Sequence, residues 1–232
     1  MMKRLLAGLA AAAILATAVV APSHSADDEA TWDGLQKVKS KKLDVAFLLP
    51  GADFRVYTKV VIDPLEVAFR KNWERDMNRA SRSARERVSA EDADRIRKEM
   101  AEGFHEILVE DFRKAGYEVV TAPGPDVMRL RPGLAEVWIN APDTMQAGRS
   151  YSYTVEAGEA TLVLEALDSE TNQLLGRVVD QRRTGQTAMW TRTTSVTNRA
   201  EFSNMFKQWS RTLTSGFEAL KDASPIQPKQ KK

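Results

Sequence analysis

Thr161-Leu162-Val163-Leu164-Glu165-Ala166-Leu167 and Leu174-Leu175-Gly176-Arg177-Val178-Val179-Asp180-Gln181 are two apolar runs separated by Asp168-Ser169-Glu170-Thr171-Asn172-Gln173. Both runs have strand length and are rich in Val and Leu, which suit a pleated surface. The connection is polar, and Asn172 is a residue type that tolerates positive φ. The stretch reads as a β-hairpin, the clearest sheet signal in the chain.

Further strands are expected on its N-terminal side. Tyr151–Val155 is strand-like, and Leu134–Asn140 alternates, with Val137 and Ile139 facing one way and Trp138 the other. Tyr117–Thr121, Val56–Ile62 and Leu43–Leu49 read as short strands, with Leu65–Phe69 extended. Two helices punctuate them. Ser89 with Asp92 marks a helix start, and Ile96, Met100, Phe104, Ile107, Leu108, Phe112 and Ala115 follow at steps of three and four. Gly116 is a natural stop. A second helix is expected behind Asn198 and Glu201, its stripe formed by Phe202, Met205, Phe206, Trp209, Leu213, Phe217 and Leu220. Arg70 to Arg87 has few apolar anchors and is the part least readable by pattern. The expected fold is α+β: a mainly antiparallel sheet with two long amphipathic helices packed on one face.

The N-terminus has a different character. Met1-Met2-Lys3-Arg4 precedes an apolar run from Leu5 to Ala21 broken only by Thr17, and Ser23, Ser25 and Ala26 supply small residues before Asp27-Asp28-Glu29. This is the layout of a cleaved secretory signal, with Ser25 as the favoured last residue. A retained anchor is the weaker reading, since seventeen helical residues rise only about 25 Å. The expected organisation is a signal peptide at 1–25, a polar segment at 26–42, one domain at 43–221 and a disordered basic tail at 222–232.

The chain has 34 Lys+Arg against 32 Asp+Glu, two His and no Cys. Losing Lys3 and Arg4 with the signal leaves 32 basic against 32 acidic residues, which argues against a nucleic-acid partner. Without Cys there is no disulfide, thiolate metal site or cysteine nucleophile. No cofactor is called for: phosphate-loop and dinucleotide fingerprints are absent, as is a Gly-x-Ser-x-Gly elbow. His105 would be the single imidazole of the exported chain, placed beside the Phe104 stripe.

The stretch from Tyr151 to Arg183, with Tyr153, Gly158, Thr161, Asp168-Ser169, Thr171, Asp180 and Arg182, resembles an exported bacterial family classed as domain of unknown function 3313. The likeness continues in Asp53-Phe54-Arg55-Val56-Tyr57, Val60, Ile62, Asp63-Pro64 and Val67, and spans about Leu43 to Leu220. The resemblance implies an envelope protein, often lipoprotein-like, and supplies no activity. This chain departs from many relatives in having no lipobox Cys.

Two groups of residues are candidates for function. Trp138, Trp190 and Arg192 are candidates for a partner or ligand surface, because exposed large aromatics mark contacts. Asp168, Asp180 and Arg182 form a candidate polar cluster on the hairpin. It reads either as turn and strand-pair structure or as the carboxylates of a saccharide hydrolase. The basic run Arg70, Lys71, Arg75, Arg79, Arg82, Arg85 and Arg87, with the Lys229, Lys231 and Lys232 tail, could attract anionic envelope material. The function expected is a non-enzymatic periplasmic binding module whose partner is an envelope protein or component. Any membrane contact is peripheral.

Overall fold

The hairpin forms, and it is longer than its apolar runs. Strand β9 (Gly158–Asp168) pairs antiparallel with β10 (Leu174–Thr184), Leu164 opposite Val178 and Leu162 opposite Asp180. Asn172 takes φ +57° in the turn. The computed structural model describes residues 31–81, 87–140, 152–154, 158–184, 191–193 and 195–228. The expected signal peptide lies outside these residues.

Among the described residues, β9 and β10 are the centre of a nine-stranded sheet. On the β10 side follow β3 (Val45–Leu48), β2 (Leu35–Val38) and β1 (Thr31–Trp32), all antiparallel. On the β9 side lies the long β7 (Val127–Ile139). Beyond it the pairing turns parallel: β4 (Lys59–Ile62) and β5 (Glu66–Phe69) both add to β7, and β6 (Glu118–Val119) pairs with β4. The α+β class and mostly antiparallel sheet hold, with a parallel edge that hydrophobic patterning does not reveal. A separate ribbon joins β8 (Ser152–Thr154) to β11 (Thr191–Thr193).

Several expected boundaries shift. The segment 26–42, read as polar and outside the domain, supplies β1 and β2, with Leu35 fully buried. β7 begins seven residues before Leu134, through Arg129, Arg131 and Pro132. Leu130 accepts from the Asp63 backbone N–H at 2.9 Å, so the N of Pro132, two residues on, faces the same neighbour. That neighbour is interrupted there, since β4 ends opposite Leu130 and β5 begins opposite Gly133. The missing donor of Pro132 therefore falls where no ladder bond is required. A bulge at Ala135–Trp138, with Glu136 at φ +52°, lets Leu134 and Val137 both point into the core.

Three helices are present among the described residues: α1 (Trp73–Ala80), α2 (Ala90–Lys114) and α3 (Ser195–Asp222). Helix α1 falls in the basic run and is anchored by buried Trp73, which stacks on Phe69 at 4.0 Å and donates to the Ile139 carbonyl at 3.1 Å. Helix α2 opens with a reciprocal Ser89–Asp92 capping box. It closes with the Gly116 N–H on the Arg113 carbonyl and the Tyr117 N–H on the Phe112 carbonyl, Gly116 standing at φ +91°. Helix α3 starts three residues before Asn198, which lies in its first turn. Helix α2 packs against α3, β4, β5 and β6, and α3 against β10. Phe104 stacks on Phe206 at 4.8 Å between the two helices, a pairing worth about 0.5–1.5 kcal/mol beyond its buried area.

The tail is docked as far as it is described. Ile226 is buried, its N–H donates to the Ala52 carbonyl and its carbonyl accepts from the Gly51 N–H. The disorder expected from residue 222 therefore does not apply to residues 224–228.

Candidate functional site

Alternation assigns every second residue of β10 to the core face of the sheet: Gly176, Val178, Asp180 and Arg182. The same face of β3 carries Ala46 and Leu48, and that of β9 carries Leu164 and Ala166, by register with β10. Three of these positions, Gly176, Ala46 and Ala166, are too small to reach a helix lying above them. The facing turns of α3 are also small at Gly216 and Ala219, between the larger Leu213, Phe217 and Leu220. Small residues on both walls leave an apolar cavity of about 270 Å³ between sheet and helix, with Met128, Leu130 and Phe112 among its lining.

The helix cannot collapse into this space because it is propped on either side. Toward the N-terminus of α3, Trp209 is fully buried and its Nε1 donates to Asp180 Oδ2 at 2.7 Å. Toward the C-terminus, Phe217 meets Phe54 edge to face at 6.0 Å and Tyr117 at 5.1 Å. Tyr117 in turn hydrogen-bonds Glu218, and burial followed by that bond holds its phenol well above its ordinary pKa.

The cavity opens to solvent between α3 and the β2–β3 loop. Of its lining residues, Lys39 and Ser40 are exposed on the loop side, and Gly216 and Ala219 on the helix side. A Cβ placed on Gly216 meets no atom within 4 Å. The loop is tied down across the mouth: Lys42 Nζ donates to Ser215 Oγ at 3.4 Å, and Arg182 reaches the Lys42 carbonyl at 3.4 Å.

Asp180 and Arg182 are therefore part of this site, as its clasp. Asp180 is 4% exposed and accepts from Arg182 Nε at 2.7 Å, from Trp209 and, through Oδ1, from the Asp44 backbone N–H at 2.9 Å. Arg182 also donates to Gln208 Oε1 at 3.2 Å and lies over the Trp209 ring. One carboxylate thus joins β10, the β2–β3 loop and α3. Asp168 is elsewhere, at the turn end of the hairpin, six residues from the register partner of Asp180. At about 3.4 Å per residue this is roughly 20 Å, far beyond the separation of about 5–9.5 Å used by paired glycosidase carboxylates. Its oxygens accept from the Glu170 and Thr171 N–H groups, the Thr171 hydroxyl and the Tyr57 hydroxyl at 2.8–3.2 Å. The Thr171 backbone bond leads in lowering its pKa, while burial, then the Asp168 bond, raises that of Tyr57.

Trp138 lies on the opposite face of the sheet and is half-buried. Arg70 covers its ring at 5.4 Å, and its Nε1 donates to Asn140 Oδ1 at 2.7 Å. Arg70 pairs with Glu136 and Glu159, and Glu159 also with Arg183. Trp190 lies outside the described residues, and Arg192 is known by its strand pairing with Tyr153. The structure does not bring Trp138 to the cavity. The same face carries a ladder of alternating charge, Asp63–Arg131–Glu165–Arg177–Asp33, at 2.7–3.6 Å per step. In the basic run, Arg75 pairs with Asp76, and Arg82, Arg85 and Lys229 to Lys232 lie outside the described residues. His105 is half-buried on α2. Among the described residues, no group of three or more His, Asp or Glu could hold a metal ion. No helix among them is long and apolar enough to cross a membrane.

The cavity is what pattern reading overlooked. Its signal in the sequence is faint: Gly216 and Ala219 interrupt an otherwise large apolar stripe, and Gly176 interrupts a Val/Leu strand.

The model of the family described as "Protein of unknown function (DUF3313)" matches residues 22–213, and the chain belongs to that family. No curated protein sequence matches the chain. Among solved structures, a PelC dodecamer from Paraburkholderia phytofirmans aligns with TM-score 0.35 and 13% identity, covering 80% of this chain and 98% of that one. A putative neuraminyllactose-binding hemagglutinin homolog from Helicobacter pylori aligns with TM-score 0.39 and 11% identity, covering 75% and 92%. A DUF330 protein from Xanthomonas campestris aligns with TM-score 0.38 and 13% identity, covering 75% and 88%.

Proposed function

We propose that this DUF3313 member is an exported, periplasmic binding module of the bacterial envelope that acts without catalysing a reaction, holding an apolar guest between its sheet and α3. The observation that carries the reading is the 270 Å³ cavity with its open mouth. A closed apolar void of about 150 Å³ already takes benzene, and pockets for drug-sized ligands begin near about 300 Å³. This cavity is intermediate, suited to a slender apolar group. Its apolar walls supply burial and no proton-transfer group. Export is supported by the signal-like residues 1–25, and an envelope role by the resemblance the family carries.

The test uses the chain from Ala26 onward and an uncharged environment-sensitive dye such as N-phenylnaphthylamine. The dye is expected to bind with one-to-one stoichiometry and enhanced emission. Gly216→Leu places a side chain in the mouth, where a Cβ meets open space, and is expected to abolish the signal. The same change favours the helix, Gly being about 0.8–1 kcal/mol worse than Ala and Leu close to Ala, so lost binding with undiminished stability cannot come from misfolding. Unchanged dye binding in Gly216→Leu sinks the proposal. Export is checked by fractionation of cells making the full chain; retention of an unprocessed chain in the cytoplasm refutes it.

A further inference from the structure

The mouth differs from the interior in charge. Lys39 borders the opening and Lys42 reaches across it to Ser215, with Lys41 between them in the chain, all three exposed. Among the described residues, no carboxylate lies within ion-pair distance of any of the three. Asp44 is bonded instead to the Gln181 N–H at 2.8 Å, and Asp180 to Arg182, Trp209 and the Asp44 N–H. On the opposite face of the sheet, by contrast, Arg177 is paired with Glu165 and Asp33, and Arg129 with Asp63. Three lysines without an ion pair are thus gathered where a guest's exposed end would emerge.

Resting on the apolar-guest reading above, we infer that the guest is a single-chain anionic amphiphile, a fatty-acid carboxylate. Its alkyl chain lies between α3 and the sheet, and its head group meets Lys39 and Lys42. The apolar lining accepts the chain and has no fixed polar partner for a head group in its depth. The head must therefore stay at the mouth, where the ammonium groups favour an anion and oppose a cation. Two walls of small residues make a narrow slot, which admits one unbranched chain more readily than a rigid ring system.

The experiment is competition against the bound neutral dye on the chain from Ala26 onward, at low salt, with three dodecyl probes: dodecanoate, dodecyltrimethylammonium and dodecyl maltoside. Dodecanoate is expected to displace the dye at least about tenfold better than the ammonium probe, since each nearby lysine contributes about fivefold. The gap should shrink as salt is raised. Lys39→Gln/Lys42→Gln is expected to weaken dodecanoate by about 25-fold relative to dodecyl maltoside measured on the same variant, a ratio between two probes that misfolding would not change. Equal competition by carboxylate and ammonium probes, or a lysine variant with unaltered dodecanoate affinity, overturns the anionic assignment while the apolar-guest reading stands. Failure of the wild-type chain to bind the dye removes both.

Discussion

Asp180→Asn isolates the clasp that holds α3 over the cavity. In the native protein one carboxylate accepts three hydrogen bonds, two on Oδ2 from Trp209 and Arg182 and one on Oδ1 from the Asp44 backbone. An amide can retain the Asp44 bond only by turning its NH₂ toward Trp209 Nε1 and Arg182 Nε, which sets donor against donor. Flipping the amide restores the other side and leaves the backbone N–H of Asp44 facing a donor. Either way buried groups lose partners, and the guanidinium loses its carboxylate. Breaking a buried pair by removing one partner costs about 3–5 kcal/mol. For a chain of 150–250 residues each kcal/mol lowers Tm by about 2–4 °C, so a fall of roughly 10 °C is expected. Urea denaturation of the chain from Ala26 onward should show a lower midpoint with an unchanged slope. Arg182→Met should cost less, because Asp180 keeps its bonds from Trp209 and the Asp44 N–H, whereas Asp180→Asn sets an amide against all three donors. The double variant should cost less than the sum of the two, since both changes break one contact. A loss below about 1 kcal/mol in Asp180→Asn, the value typical of exposed ion pairs, would refute the clasp. So would strict additivity.

Two glycines give opposite expectations. A Cβ on Gly158 would stand 2.3 Å from the Trp138 carbonyl oxygen and 2.8 Å from the Phe202 ring, so Gly158→Ala should destabilise by about 1–3 kcal/mol or more. Gly103, inside α2 with nothing within 4 Å of its Cβ position, should gain about 0.5–1 kcal/mol as Ala; calorimetry of both variants checks the contrast. Ile226→Ala should cost about 2–5 kcal/mol if the tail is a packed part of the core. A change near zero by denaturant titration would mean that residues 224–228 do not dock.

Much of the local structure is written in short-range pattern. The Ser89–Asp92 box and Gly116 mark both ends of α2 because capping is settled within a few residues. The Asn172 turn and the alternation around Trp138 are equally local. The readings that shifted all depend on distant partners. Pro132 counts against a strand unless the neighbouring strand breaks opposite it, and the break between β4 and β5 lies some seventy residues earlier. The segment around Leu35 reads as polar because its burial depends on an edge place beside β3. Ile226 reads as tail because its bonds reach back to Gly51 and Ala52. Arg131, Glu165 and Arg177 look like scattered surface charge until register aligns them across three strands.

By itself the sequence determined the hairpin, the faces of α2 and α3 and the signal-like start, since each rests on spacing within one segment, and the α+β class follows from their order. The family rests on likeness over most of the chain. The sequence also placed Asp180 beside Arg182 on one strand face. Only the tertiary structure decided that this pair clasps Trp209 and the β2–β3 loop, that Asp168 stands about 20 Å from it along the strands, and that Trp138 belongs to the opposite face. The cavity too is a tertiary fact. Gly176, Ala46, Ala166, Gly216 and Ala219 are unremarked in sequence, and they make a space only because separate strands and a helix bring their missing side chains together.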